Sequence, residues 1–464
     1  MKRFAYLLVW LLLTGTTYAQ QAKYVFYFIG DGMGVNQVNA TEMYLAACEG
    51  RIGTESLLFT TFPTVGIATT YSASNPITDS AAAGTALSTG VKTYNSAIAM
   101  DVNKQELTTV AERAKRSGRR VGITTSVSVD HATPAVFYAH QPQRTMYYEI
   151  ACSIPKADFD FHAGGGFLKP DQDAEGRKAP SVYPLLEKAG YTIARGLNDF
   201  KDKEAAAGKM ILIQPEGADP ASIPYAIDRR PGDLTLAEIT ESAISFLTRG
   251  RDKGFFLMVE GGKIDWACHD NDPATVIHEI VDMDNAVKVA YEFYRKHPKE
   301  TLIVITADHE TGGLGLGTTS YELNLKALMN QKLSTDRLSI AVTDLRKNQH
   351  ASWEDVKALL TEKMGFWKEL PLTWKQERAL RDDYEDSFVK NKVVFAESLY
   401  SKLEPIAATA KEIMSRIAML GWTTGSHTAG YVPVYAIGAG SKLFAGKYDN
   451  TEIPKRIAQA GGYK

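Results

Sequence analysis

The chain has 464 residues, of which 44% are hydrophobic and 23% charged, with a formal net charge of -2. That length supports one large α/β domain or two smaller ones, and the composition is that of a globular protein. Near-neutral charge argues against a nucleic-acid footprint or a polybasic membrane patch.

Lys2 and Arg3 precede an apolar run from Phe4 to Leu13, and Thr17-Tyr18-Ala19 offers a small-residue cleavage site. This layout predicts a secretory signal peptide over residues 1–19, its apolar run short for a membrane span; an uncleaved anchor is the alternative. Cys48, Cys152 and Cys268 lack metal-knuckle spacing and are expected to be small buried apolar residues, with room for at most one disulfide.

Tyr24 to Gly30 is a continuously apolar, β-branched and aromatic run, the pattern of a strand covered on both faces. It ends in Gly30-Asp31-Gly32-Met33-Gly34, and a helical segment follows to about Cys48. The turn lacks the Lys-Ser/Thr of a P-loop and the spacing of a dinucleotide fingerprint, which leaves Asp31 as its notable residue. An Asp in a tight turn is the plain alternative. A strand is expected from Val65 to Thr70. Then Asp79 and Ser80 open a run of small residues that reads as the first turn of a packed helix. Ser80 there faces unpaired N–H groups and the positive end of the helix dipole, although Asp-Ser alone is an ordinary cap.

An amphipathic helix is expected from about Leu107 to Ser117, followed by a buried strand from Arg120 to Thr125 that leads into Asp130-His131-Ala132-Thr133-Pro134. Arg144 lies near the start of another helix, and nothing local separates it from a solvated arginine. Residues 158–235 alternate short strands (Phe159 to Phe161, Tyr191 to Ala194, Met210 to Ile213) with helices, and carry no evident chemistry. His162 and the Gly164–Gly166 loop read as structural.

Chemistry returns after the strand that begins at Gly254. Glu260 closes that strand, a Gly-Gly turn follows, and Asp265 and His269 share one face of a helical turn, spaced to bind one metal. A long helix is expected over Asp272 to Arg295. The strand from Thr301 to Ala307 then delivers Asp308-His309-Glu310-Thr311-Gly312-Gly313. Residues 314 to about 421 break the α/β rhythm and read as a helical insertion, with periodicity in Trp353 to Lys363 and Val394 to Ile417. Trp367, Trp374 and Tyr384 are expected to pack it onto the main body. One more strand, with His427 at its entrance, runs to Gly438, and a terminal helix starts at Ile453.

The βα alternation predicts a doubly wound, mostly parallel central sheet flanked by helices, with ligands beyond the carboxyl ends of its strands. Asp31, the Asp130–Thr133 stretch, Glu260, Asp265, His269, Asp308 and His309 all fall at such ends. Five carboxylates and two histidines gathered from four strands point to a polynuclear metal site. Mixed Asp/His ligation favours zinc, and an all-oxygen subset favours magnesium.

These motifs, in this order, resemble the alkaline phosphatase family from about Tyr24 to Gly440, the insertion excepted. Asp79-Ser80-Ala-Ala-Ala-Gly-Thr85 resembles its nucleophile signature, and Arg144 occupies the place of its phosphate-binding arginine. The resemblance implies a first zinc on Asp265, His269 and His427, and a second on Asp31, Asp308 and His309 beside Ser80. A third metal, usually magnesium, would take Asp31, Thr133 and Glu260. Two metals ~4 Å apart stabilise the attacking and leaving oxygens of an in-line displacement. The implied reaction is broad-specificity hydrolysis of phosphate monoesters through a phosphoserine, in one catalytic domain over residues 20–464. The implied setting is export, with a periplasmic location, as a homodimer or monomer.

Two positions depart from the best-known bacterial pattern, which has Asp where this chain has His131 and Lys where it has Trp266. They bear on the third metal and predict weaker retention of inorganic phosphate. Asp79 is expected to position its loop or Arg144 and not to bind metal. A phosphodiesterase or phosphonate hydrolase of the same superfamily is the nearest rival; a non-catalytic exported metal- or phosphate-binding protein is the rival of another class.

Overall fold

The computed structural model describes residues 21–250, 253–319, 321–347 and 351–464, so the expected signal peptide lies outside the described residues. Ten strands form the central sheet: β1 (Tyr24–Gly30), β2 (Thr64–Thr69), β3 (Arg120–Thr125), β4 (Phe161–Ala163), β5 (Tyr191–Arg195), β6 (Lys209–Ile213), β7 (Phe255–Gly261), β8 (Thr301–Thr306), β9 (Val432–Gly438) and β10 (Gly446–Asp449). Their spatial order is β10-β2-β9-β8-β1-β7-β3-β4-β6-β5. Every pairing is parallel except the two that β9 makes with β2 and β8.

β1 shows why this sheet needs cover on both sides. Residues Val25 to Ile29 are fully buried. The rings of Tyr24 and Phe26 meet Phe293 of the helix Pro273–Lys296 at 4.9 and 5.7 Å. Tyr27, the residue after Phe26, meets Phe137 at 6.0 Å and donates to the Leu87 carbonyl of the helix Ser80–Thr89. Successive side chains of a strand point to opposite faces, so helices lie on both faces of the sheet, as a doubly wound fold requires. Among the described residues no helix is long and apolar enough to cross a membrane.

Register brings three acidic strand ends together. Ile29 of β1 pairs with Glu260 on one side and Thr306 on the other, and Thr125 of β3 also pairs with Glu260. Asp31, Glu260 and Asp308 therefore emerge side by side at the sheet's carboxyl edge. β4 begins two residues later than expected, at Phe161. Asp158 is left-handed (φ 54) and the Asp160 carboxylate is bound to Arg120 and the Val121 amide, so regular pairing starts only beyond them.

The segment that breaks the α/β rhythm is closed at its root. Leu314–Leu316 pairs antiparallel with Leu420–Trp422. Between them lie the helices Thr335–Lys347, Trp353–Met364, Trp374–Tyr384 and Pro405–Ile417. Leu338, Val342, Val356, Leu360, Leu380 and Ile406 form a core of its own, which reaches the main body at Ala40, Ala274 and Ile277.

Two expectations need correction here. The helix expected from Val394 starts only at Pro405, whose ring suits a first helical position and whose predecessor Glu404 caps Ile406 N at 2.7 Å. Ahead of it, Ala396–Glu397 and Lys402–Leu403 form a short hairpin. The aromatics pack chiefly within the segment: Trp353 meets Trp367 and Tyr384 edge-on, whereas Trp374 is 69% exposed. The cysteines are all free, with Cys268 buried and Cys48 and Cys152 half-buried.

Candidate active site

Asp31 follows β1 in a turn that only glycine can complete. Gly32 has φ +72, and a Cβ there would lie 2.9 Å from the Asp265 Cα and the Thr311 hydroxyl. Its amide donates to Asp308 Oδ1 at 3.1 Å, tying the ends of β1 and β8 together. Asp31 is thereby placed between two groups of ligand atoms.

The first group is Asp265, His269 and His427. His269 Nε2 lies 3.2 Å from Asp265 Oδ2 and 3.1 Å from His427 Nε2. Both histidines turn their other nitrogen to a backbone carbonyl, Gly425 O at 2.7 Å and Thr78 O at 2.8 Å. A carbonyl only accepts, so each Nδ1 carries a proton and in the neutral rings both Nε2 lone pairs face each other beside a carboxylate. A cation between them resolves that confrontation.

The second group surrounds His309 Nε2, with Asp308 Oδ2 at 3.3 Å, Asp31 Oδ1 at 3.4 Å and Ser80 Oγ at 3.2 Å. Thr311 Oγ1 donates to Asp265 Oδ1 at 2.6 Å and accepts from His309 Nδ1 at 3.1 Å. One hydroxyl thus orients ligands in both groups. In the third group, ligand atoms of Asp31, His131 and Glu260 lie within 4.8 Å of one another. Thr133 donates to Asp31 Oδ2 at 3.3 Å, and Thr125 donates to Glu260 Oε2. Asp130, counted with these carboxylates in the sequence, turns away to the Leu168 amide at 2.9 Å.

The donor set fits multivalent cations. Asp31 Oδ1, Glu260 Oε1, Asp265 Oδ2, Asp308 Oδ2 and both His131 nitrogens are buried without a hydrogen-bond partner among the described residues, an expensive arrangement unless a metal takes them. Burial, then neighbouring carboxylates, lift the Asp31 and Asp308 carboxyls well above their ordinary range, and burial raises Glu260 to about 7. Burial pushes His309 well below its ordinary value and His131 to about 3, which keeps both rings in the neutral, ligating form. Asp265 is the exception: burial works against its ionisation, but His269, His427 and His309 hold its carboxyl below the usual range.

Ser80 opens the helix Ser80–Thr89, with Asp79 as its cap accepting from Ala82 N at 2.9 Å. The other oxygen of Asp79 accepts from Ser96 N at 3.0 Å and pairs with Arg144 Nη1 at 3.3 Å. Arg144, indistinct in the sequence, is therefore held beside the serine. Trp266 is half-buried, with an indole N–H that has no acceptor among the described residues, and lies edge-on to His131 at 5.9 Å. Sequence reasoning missed Thr125, Thr311 and Tyr400. Thr311 sits in a Gly-rich loop where any polar residue is unremarkable, and Tyr400 comes from inside the insertion.

A serine at a helix N-terminus, three carboxylate–imidazole groups and a tethered arginine at the carboxyl edge of a parallel sheet together describe a metal-dependent hydrolase. A family model described as alkaline phosphatase matches residues 22–160 and 217–463. Alkaline phosphatase 3 of Bacillus subtilis (strain 168) is 35% identical over 452 residues, which cover 96% of this chain and 90% of that one. Alkaline phosphatase 4 of the same organism is 32% identical over 81% of this chain and 75% of its own length. The crystal structure of a cold-active alkaline phosphatase from Shewanella sp. superposes with a TM-score of 0.78 at 30% identity, covering 94% of this chain and 99% of the other. The chain belongs to the alkaline phosphatase family, and it is a metal-dependent phosphatase acting on phosphate monoesters.

Proposed function

We propose that Ser80 is the nucleophile of a phosphomonoesterase that works through a covalent phosphoserine, in a site for two zinc ions and one magnesium. The carrying observation is Ser80 Oγ at a helix N-terminus, 3.2 Å from the His309 nitrogen that Asp31 and Asp308 also face. Asp265, His269 and His427 would hold one zinc, and Asp31, Asp308 and His309 the other. Asp31, Thr133 and Glu260 would hold the third metal, with His131 beside them. When bound, such metals lower the pKa of coordinated hydroxyl groups and stabilise entering and leaving oxygens.

The chain's own residues do the rest. Ser80 Oγ bonds to phosphorus as the ester P–O bond breaks and the alcohol departs. Water then cleaves the phosphoserine, releasing inorganic phosphate and regenerating the hydroxyl. Arg144 presents a planar fork to two non-bridging oxygens, with Asp79 anchoring one of its nitrogens. First-turn amides of the Ser80 helix add donors for the phosphoryl group. This set binds phosphate and leaves the alcohol unspecified, which supports broad specificity.

A structure of a His-to-Glu mutant of TAB5 alkaline phosphatase has Mg bound in the M3 site. By analogy, His131 is read as the residue that tunes the third metal of this chain. Residues 1–19 are read as an export leader, residues 20–464 as one catalytic unit with the segment 314–421 inserted, and the enzyme as periplasmic, a homodimer or a monomer. The test is turnover of p-nitrophenyl phosphate and of bis(p-nitrophenyl) phosphate by wild type and Ser80→Ala, with zinc and magnesium supplied. Monoester turnover well above diester, abolished in the variant, is expected. Full activity without Ser80 ends the nucleophile assignment, and preferred diester turnover moves the chain to the phosphodiesterase reading.

A further inference from the structure

The hairpin formed by Ala396–Glu397 and Lys402–Leu403 carries Tyr400 from the insertion into the active site. Its ring stacks on Trp266 (4.7 Å between centroids, 19° between planes) and meets His269 edge-on at 5.4 Å. Arg144 Nη2 donates to its phenol oxygen at 3.3 Å. The guanidinium is thus held from two sides, by Asp79 on Nη1 and by Tyr400 on Nη2. A tyrosine phenol ordinarily titrates at about 10 and carries its proton near neutral pH. Since it accepts from Arg144, its own O–H is left without an acceptor among the described residues.

The hairpin's position is itself fixed. Ser398 and Ser401 each donate to Asp270 Oδ1 at 2.6 Å, one residue beyond His269. On the insertion side Glu404 N donates to Ser339 Oγ at 2.8 Å, and the Glu404 carboxylate pairs with Arg346 at 2.8 Å. Tyr400 therefore sits between two anchored ends and against a stacked partner.

We propose that Tyr400 is a positioning residue of the phosphate site: it sets the Arg144 fork from the side opposite Asp79 and offers its unspent O–H to a bound phosphate. The proposal rests on the reading of Arg144 as the phosphate grip. It gives the insertion a function, since the segment then supplies part of the anion site. It also offsets the loss of a cation at Trp266, because a neutral aromatic pair backed by a fixed arginine replaces a second positive charge.

The experiment compares metal-loaded wild type with Tyr400→Phe, Arg144→Ala and the double variant, using inorganic phosphate as inhibitor and p-nitrophenyl phosphate as substrate. One hydrogen bond to a charged group is worth about tenfold. Tyr400→Phe is expected to raise the phosphate inhibition constant and KM by about that factor and to leave kcat within about twofold. In the Arg144→Ala background the same change is expected to do less than about half of this on a logarithmic scale. An unchanged or tightened inhibition constant in Tyr400→Phe overturns the proposal; tightening would mean that the phenol competes with phosphate for the guanidinium. An equal effect with and without Arg144 also overturns it. If Arg144→Ala alone leaves phosphate inhibition unchanged, the reading of the arginine fails instead, which the single Tyr400 variant does not report. Ser398→Ala combined with Ser401→Ala frees the hairpin from Asp270 without altering Tyr400, and is expected to raise KM in the same direction. A wild-type KM there would also overturn the proposal.

Discussion

Replacing Thr311 by valine removes one hydroxyl and keeps the shape of the side chain, so it isolates what that hydroxyl does. Two contacts disappear: the 2.6 Å donation to Asp265 Oδ1 and the 3.1 Å acceptance from His309 Nδ1. The first is a hydrogen bond to an ionised group, worth about 1.5–3 kcal/mol, and the second leaves a buried N–H unpaired at a cost of about 1–3 kcal/mol. In the proposed assignment Asp265 holds one zinc and His309 the other, so a single substitution would loosen both. Partners of this kind affect metal affinity or activity by about 10–100-fold when removed. We expect kcat/KM for p-nitrophenyl phosphate to fall by about that factor, roughly 1.4–2.7 kcal/mol in the barrier. Metal loss should occur at lower chelator concentration, followed directly by metal analysis after dialysis. Thr311→Ser, which restores the hydroxyl, should recover most of both properties. Wild-type turnover and wild-type chelator resistance in the valine variant would refute the bridging role.

Two further predictions concern charge. Trp266→Lys introduces a cation near the phosphate site; a unit charge ~6 Å from a phosphate charge contributes about 3 kcal/mol at an effective dielectric of ~20, against about 0.5–1.5 kcal/mol lost with the Tyr400 stack. Product inhibition by inorganic phosphate should therefore tighten, and an unchanged or weaker inhibition constant would sink the idea. Glu279 is buried and accepts from Ala226 N at 2.6 Å; burial raises its carboxyl from 4.5 to about 7. A carboxyl that binds its proton more tightly when folded contributes stability below pH 4.5 that is lost as pH rises through 7, about 3 kcal/mol at most. Glu279→Gln should raise Tm by a few degrees at pH 8.5 and by much less at pH 4.5; an equal shift at both pH values would contradict the burial argument.

Most of the residues proposed as ligands stood out in the sequence because they stand at Gly-punctuated strand ends. Asp31, Glu260, Asp308 and His309 follow runs too apolar and too β-branched to be anything but interior strands. Asp265 and His269 carried their own helical spacing, which the helix Lys263–His269 reproduces. Thr311 and Tyr400 carried no such signal, since their importance lies in which partners the fold brings within 3.3 Å. Periodicity misled between Val394 and Glu404, where apolar residues at near-helical spacing belong to a hairpin whose serines bind Asp270. Trp374 misled in another way: aromatic identity suggested burial, but its neighbours on the helix Trp374–Tyr384 are charged and it faces outward.

The pairing of Leu314–Leu316 with Leu420–Trp422 means that the chain leaves the catalytic body and returns to it at one doorway. Whatever is strung between those two short strands need not disturb the register of β8 or β9. Each doubling of a flexible connection costs only about 0.6 kcal/mol in closure entropy, so length at this doorway is thermodynamically cheap to change. Descent can therefore exchange the module while the carboxylate-bearing strand ends stay put. With Tyr400 riding on it, such an exchange would alter how firmly phosphate is held without rewriting the chemistry, making affinity and reaction separately heritable traits of one polypeptide.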